Sequence, residues 1–154
     1  MSQAAEEVRA AGITLVRHTE LSEALFRDKA AIISQLHTLA EECVAPDWDG
    51  NGAYPINPRA VLVAEAFLRA LPEGVPLPEL APEPDGSISV DWLPRRHRIL
   101  SLSASASDRI AYAWLDGTDS GHAVARFDGT NIPLRILKEI ESVTNYRNAS
   151  VRPA

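Results

Sequence analysis

Ser87-Ile88-Ser89-Val90-Asp91-Trp92 alternates small polar and large apolar residues, and Leu100-Ser101-Leu102-Ser103-Ala104-Ser105 repeats the pattern. A period of two is the signature of a strand with one face buried and one face wet. Ile110, Tyr112 and Trp114 alternate with Ala111 and Ala113, and His122 to Phe127 reads as a shorter fourth strand. Short polar connections at Pro94 to His97, Ser107-Asp108 and Asp116 to Gly121 leave room only for hairpins, so the four strands are expected to form an antiparallel meander. Trp92 and Trp114 fall on the apolar side and are expected in the core. The all-serine outer side of the second strand needs no more than solvent to explain it.

Helical spacing brackets this sheet on both sides. From Glu20 to Ala45, Leu21, Leu25, Ile32, Leu36, Leu39 and Cys43 recur at three- and four-residue intervals, and Pro46 stops the pattern. A second helix opens at Asn57-Pro58, an N-cap followed by proline at the first helical position. Its apolar face is Val61, Ala64, Phe67, Leu68 and Leu71, and Pro72 and Gly74 end it. A last helix opens near Asn131 and Pro133, with Ile136, Leu137, Ile140 and Val143 turned inward. Between the second helix and the sheet lies a strap with five prolines, Pro72, Pro76, Pro78, Pro82 and Pro84. It is expected to be extended and stiff, and neither a helix nor a central strand. The sum is an α+β domain over residues 20–145: a four-stranded antiparallel sheet with two N-terminal helices and one C-terminal helix. Residues 1–19 are expected to be a loosely held N-terminal segment and residues 146–154 a tail.

Pro46-Asp47-Trp48-Asp49-Gly50-Asn51-Gly52-Ala53-Tyr54-Pro55-Ile56-Asn57-Pro58 is the densest run of turn formers, aromatics and side-chain acceptors in the chain. Asp47, Asp49, Asn51 and Gly52 match the first half of a calcium loop, D-x-[DN]-x-[DN]-G. The second half does not follow: the position of the bidentate glutamate holds Pro58. The same residues make consecutive turns without a metal, because Asp and Asn bond nearby backbone and Gly accepts positive φ. Trp48 and Tyr54 either fold inward as staples, the preferred reading, or offer aromatic faces to a partner. Trp48, Asp49, Asn51 and Tyr54 are the candidate binding residues.

Trp48-Asp49-Gly50-Asn51-Gly52-Ala53, followed by a helix, the Leu71-Pro72 stop, Pro84-Asp85-Gly86 and a strand ending at Trp92, resembles a family of small, uncharacterised bacterial proteins with a W-D-G-x-G-A motif. The resemblance covers residues 47 to 143. It implies a bacterial cytosolic setting and carries no activity, cofactor or catalytic residue.

Composition narrows the function classes. The 154 residues suit one domain, and the balance of 45% hydrophobic to 23% charged is that of a soluble globular chain. A net charge of −6 argues against non-specific nucleic-acid binding, which needs a basic surface. No apolar run is long enough for a membrane span, and residues 1–11 lack the features of a signal peptide. One cysteine excludes an internal disulfide. These features together point to the cytoplasm.

Chemistry-bearing constellations are sparse. No G-x-S-x-G is present, and Asp119, Ser120 and His122 are too close in sequence to converge readily as a triad. His18, His37, His97 and His122 lack H-x-x-x-H spacing, so no metal site and no cofactor is expected. Cys43, at the C-terminal end of a helix, sits where the dipole disfavours a thiolate. Arg95-Arg96-His97-Arg98 is the one basic cluster and is expected at a solvated hairpin tip. The function expected is a non-enzymatic protein-interaction module or accessory subunit, with a protein partner or a second copy of itself. A weak divalent-cation protein using Asp47 to Gly52, and a small hydrolase using Ser120 and His122, are the alternatives.

Overall fold

The computed structural model describes residues 28–145. The segments expected at 1–19 and 146–154, and Leu21 and Leu25 of the first helix, lie outside those residues. Within them a helix, α1, occupies residues 28–42. It is followed by α2 (Pro58–Ala70), five strands and α3 (Leu134–Thr144). The strands are β1 (Glu79–Pro82), β2 (Ile88–Arg95), β3 (Arg98–Ala104), β4 (Arg109–Asp116) and β5 (Asp119–Arg126), in the sheet order β1-β2-β3-β4-β5 with every pair antiparallel. The α+β class and the meander are as expected.

The strand count is corrected from four to five, and the added strand comes from the proline strap. Glu83 N–H donates to Ser87 O, and the register continues through Ala81↔Ser89 and Glu79↔Asp91. Odd-numbered residues of β1 therefore address β2, while even-numbered residues face outward. Pro78 and Pro82 are both even, so the N–H each lacks would have had no partner in the sheet. Proline is compatible with an edge strand when it sits this way. Only four residues pair, which is too short a run for alternation to stand out in the sequence.

Alternation separates the two faces of the sheet across all five strands. One row, Leu80-Val90-Leu102-Tyr112-Ala123, faces the helices; its neighbour, Ala81-Ser89-Ser103-Ala111-Val124, faces the other way. Ile88, Val90, Trp92, Leu100, Leu102, Ile110 and Tyr112 join one core cluster with Ile32 and Leu36 of α1, Phe67 and Leu68 of α2, and Ile136 and Ile140 of α3. All three helices thus cover one face. Phe67 stands edge-on to both Trp92 (6.5 Å between ring centroids) and Phe127 (5.7 Å), an arrangement that suits the ring quadrupoles.

The two tryptophans expected in the core divide. Trp92 is buried, and its indole N–H donates to Pro76 O at 2.6 Å, which anchors the strap. Trp114 is only half-buried. Its strand partner is Gly121, and a Cβ there would lie 2.5 Å from the Trp114 ring. The ring therefore covers bare backbone near the sheet edge, packing against the rim of the core beside Tyr112 (5.8 Å between ring centroids) rather than being enclosed by it. Pro94 sits where the β2–β3 register shifts between Trp92 and Arg95, a position at which a bulge tolerates proline.

The helix ends are tied by side chains. Asn57 Oδ1 accepts from Arg59 N–H at 2.9 Å, as expected for the N-cap of α2. At the other end of α2, Lys29 of α1 donates its ammonium to Arg69 O and Leu71 O. That contact satisfies carbonyls the helix leaves open and favours a cation at the negative end of the dipole.

Candidate functional site

The loop from Pro46 to Pro58 is held by its own polar groups. Asp49 Oδ1 accepts from Asn51 N–H (2.8 Å) and Ala53 N–H (3.0 Å), and Asp47 Oδ1 accepts from Gly52 N–H (2.6 Å). Asp47 N–H donates to Ala53 O at 2.8 Å and closes the loop neck. The Asn51 amide, followed by that of Ala53, stabilises the Asp49 carboxylate and holds its pKa below the usual range. The chain reverses through Asp47, Gly50 and Gly52, all at positive φ.

Beyond its neck the loop binds two distant parts of the chain. Ile56 N–H donates to Cys43 O at the end of α1. Tyr54 N–H donates to Pro84 O (2.8 Å), and Asn57 N–H donates to Gly86 O (2.9 Å). Gly86 is at φ +93°, and a Cβ there would come within 3.0 Å of Pro55 O. Trp-Asp-Gly-Asn-Gly-Ala and Pro-Asp-Gly, the two motifs that stand out in the sequence, are thus two sides of one joint. It links α1, α2 and the turn before β2.

The four candidate binding residues are gathered in this joint but are put to different uses. Trp48 is half-buried against the core, with its indole N–H donated to Tyr54 O at 2.8 Å. Tyr54 is 71% exposed. Asp49 turns a carboxylate oxygen to the loop's own amides, and Asn51 lies exposed at the tip. Of the two aromatics, one is a staple and the other is a surface ring. Among the described residues no group of three His, Cys, Asp or Glu side chains is placed to hold a metal ion.

The hydrolytic constellation is not assembled. Ser120 and His122 lie two apart on β5 and share one face, while Asp119 takes the opposite face by the strand's alternation. Cys43 is buried; burial, followed by the charge of Glu42, raises its pKa and keeps it a thiol. Cys43 lies along a groove of about 690 Å³ between α1 and β1, with Gln35, Leu39, Pro78, Leu80 and Pro82. His37 bonds Glu65 Oε1 across α1 and α2 at 2.6 Å, and Arg69 binds the other carboxylate oxygen. Arg69, followed by His37, lowers the Glu65 pKa. This triplet clips two helices together. Of the basic cluster, Arg95, Arg96 and His97 are exposed at the β2–β3 hairpin, while Arg98 is tied to Asp116 (3.3 Å) and Asn145 (2.9 Å).

The surface with the clearest organisation is the outer face of the sheet. Ser89 Oγ and Ser101 Oγ both donate to Asp91 Oδ1, at 2.7 and 2.5 Å, and Ser103 Oγ donates to Glu83 Oε1 at 2.7 Å. The serines read as merely solvated form a net with two carboxylates. Toward β5 the face turns to exposed Ala111, Ala113 and Val124, with half-buried Ile99 and Leu115 beside them. The only sequence signal for this face was serine and alanine at alternate positions, which any solvated strand also shows.

The chain matches no protein-family model, no curated protein and no solved structure. Among the described residues no helix is long and apolar enough to cross a membrane.

Proposed function

We propose that the chain is a non-catalytic protein-interaction module, an accessory subunit that presents the outer face of its sheet to a protein partner. The observation that carries this reading is the division of that face. Glu79, Glu83 and Asp91 make its β1–β2 side acidic, whereas Ala111, Ala113 and Val124 make its β4–β5 side small and apolar. The serine hydroxyls are already bonded to carboxylates, so covering them strands few donors. The hollow on this face is a shallow one of about 270 Å³ lined by Ser101, Ser103, Ala111, Ala113, His122 and Val124. An open surface of this kind suits another protein better than a small molecule, which is usually held in a deeper pocket. The matching partner surface is apolar at its centre with Lys or Arg on one flank. The resemblance to small bacterial proteins supports a bacterial cytosolic setting and adds no activity.

Isolation of the tagged chain from its host, beside an Ala113→Arg variant, tests the reading. Ala113 is exposed on β4, so arginine there leaves the core untouched. A stoichiometric partner protein that leaves with the parent and is lost with Ala113→Arg, at unchanged melting temperature, is expected. Retention of that partner by Ala113→Arg contradicts the proposed surface.

A further inference from the structure

Among the described residues the sheet has two edges, β1 and β5, and they are treated differently. Along β1 and the residue before it, the outward-facing positions are Pro78, Leu80 and Pro82, so Leu80 alone can donate an N–H to an added strand. Proline on an edge is a known block to strand addition. On β5 the parity is fixed by Phe127 N–H, which donates to Asp108 O at 2.7 Å. Odd residues address β4, and Ser120, His122, Val124 and Arg126 turn their N–H and C=O groups outward. The Val124 carbonyl confirms it by accepting from Arg135 Nη2 at 3.0 Å, which leaves that oxygen a second lone pair. No proline lies in β5, which runs eight residues, twice the length of β1.

Charge along this edge has a direction. Asp116, Asp119 and Glu139 gather at its start; burial, followed by Asp119 and Asp116, raises the Glu139 pKa. Arg98 offsets one of these charges by pairing with Asp116. Arg109, Arg126 and Arg135 gather at the other end, with Asp108 paired to Arg126 at 2.9 Å. The Arg126 side chain is still 82% exposed.

We propose that β5 is a homodimerisation edge: β5 of a second copy pairs with it antiparallel about a two-fold axis and makes a continuous ten-stranded sheet. A two-fold contact puts the acidic end of each strand beside the basic end of the other, whereas a parallel contact would join like to like. Backbone bonding requires outward residues to meet outward residues. The register with Ala123 opposite its symmetry mate satisfies this, pairing His122 with Val124 and Ser120 with Arg126 across the axis. The proposal does not depend on a partner at the outer face, but the dimer would double that face into one surface.

Sedimentation velocity of the purified full chain, without any partner, is the test. The parent should sediment at twice the mass of one chain, and Val124→Pro should sediment at the mass of one chain with parental circular dichroism. The Val124 N–H faces outward, so its removal breaks no bond within the sheet. Should that variant misfold, charge reversal carries the test instead. Asp119→Arg and Arg126→Asp should each weaken the dimer at least tenfold, because each removes the opposite charge from one end of the antiparallel pair. A monomeric parent overturns the proposal, as does a dimer that survives Val124→Pro, or that survives both single reversals. Loss of this dimer and loss of an outer-face partner are read in separate experiments, so either can fail alone.

Discussion

The loop at residues 46–58 and the serine side of the outer face of the sheet both place polar groups at the surface, yet they use them in opposite ways. Asp47 and Asp49 in the loop bind backbone amides, and the loop's own amides reach Cys43, Pro84 and Gly86. Cutting those bonds disturbs the joint between helices and sheet. On the outer face, hydroxyls bind carboxylates side chain to side chain, and the strands beneath are held by their ladders regardless. Exposure and polarity do not identify a contact surface by themselves; what the polar groups hold decides whether they can be given to a partner.

The sharpest way to break this comparison is Gly86→Val. The residue is at positive φ and its Cβ would press on Pro55 O, so strain and crowding together should cost about 3 kcal/mol, read as a lowered urea midpoint. Gly52→Val isolates the strain. Nothing lies within 4 Å of a Cβ there, and the backbone penalty alone should cost about 1–3 kcal/mol. A parental midpoint for either variant would make the loop a passive surface.

Asp49→Asn should lower the melting temperature at neutral pH by weakening the loop's hydrogen bonds. Because the folded-state pKa of Asp49 is depressed, its charge-dependent stabilisation is present above the unfolded pKa and lost as pH falls through the folded value. The gap between parent and variant should therefore narrow in melts taken at successively lower pH. A gap constant across the acid range would mean that the carboxylate charge contributes nothing. The smallest effect belongs to the other region: Ala113→Arg should move stability by no more than about 0.5 kcal/mol, as surface substitutions generally do. A large drop in its urea midpoint would show that the outer face is built into the core.

Much of the fold was legible in the sequence because its signals are local. Alternation located β2, β3 and β4, Asn57-Pro58 located the start of α2, and each Asp-Gly marked a reversal with glycine at positive φ. β1 was hidden because Pro78 just before it and Pro82 at its end signal a break to any local reading, although their parity is what allows the edge strand. Trp114 looked like core because alternation gives the side of the sheet but not the reach of the helices above it. The loop's acceptors were legible as turn formers. Its contact with Pro84 and Gly86 was not, since residues thirty apart leave no periodic trace of their meeting. The outer face gave least warning: serine at alternate positions does not say which carboxylate it will bind.

The central claim is that the loop at residues 46–58 is a structural joint, and native-state amide hydrogen exchange at Tyr54, Ile56 and Asn57 tests it most directly. These three amides bond Pro84 O, Cys43 O and Gly86 O, bridging parts of the chain that stay together only while the domain is folded. They should exchange slowly, through the same opening that releases core amides of β3. Exchange of all three at the rate of an unprotected loop, while β3 remains protected, would contradict the claim.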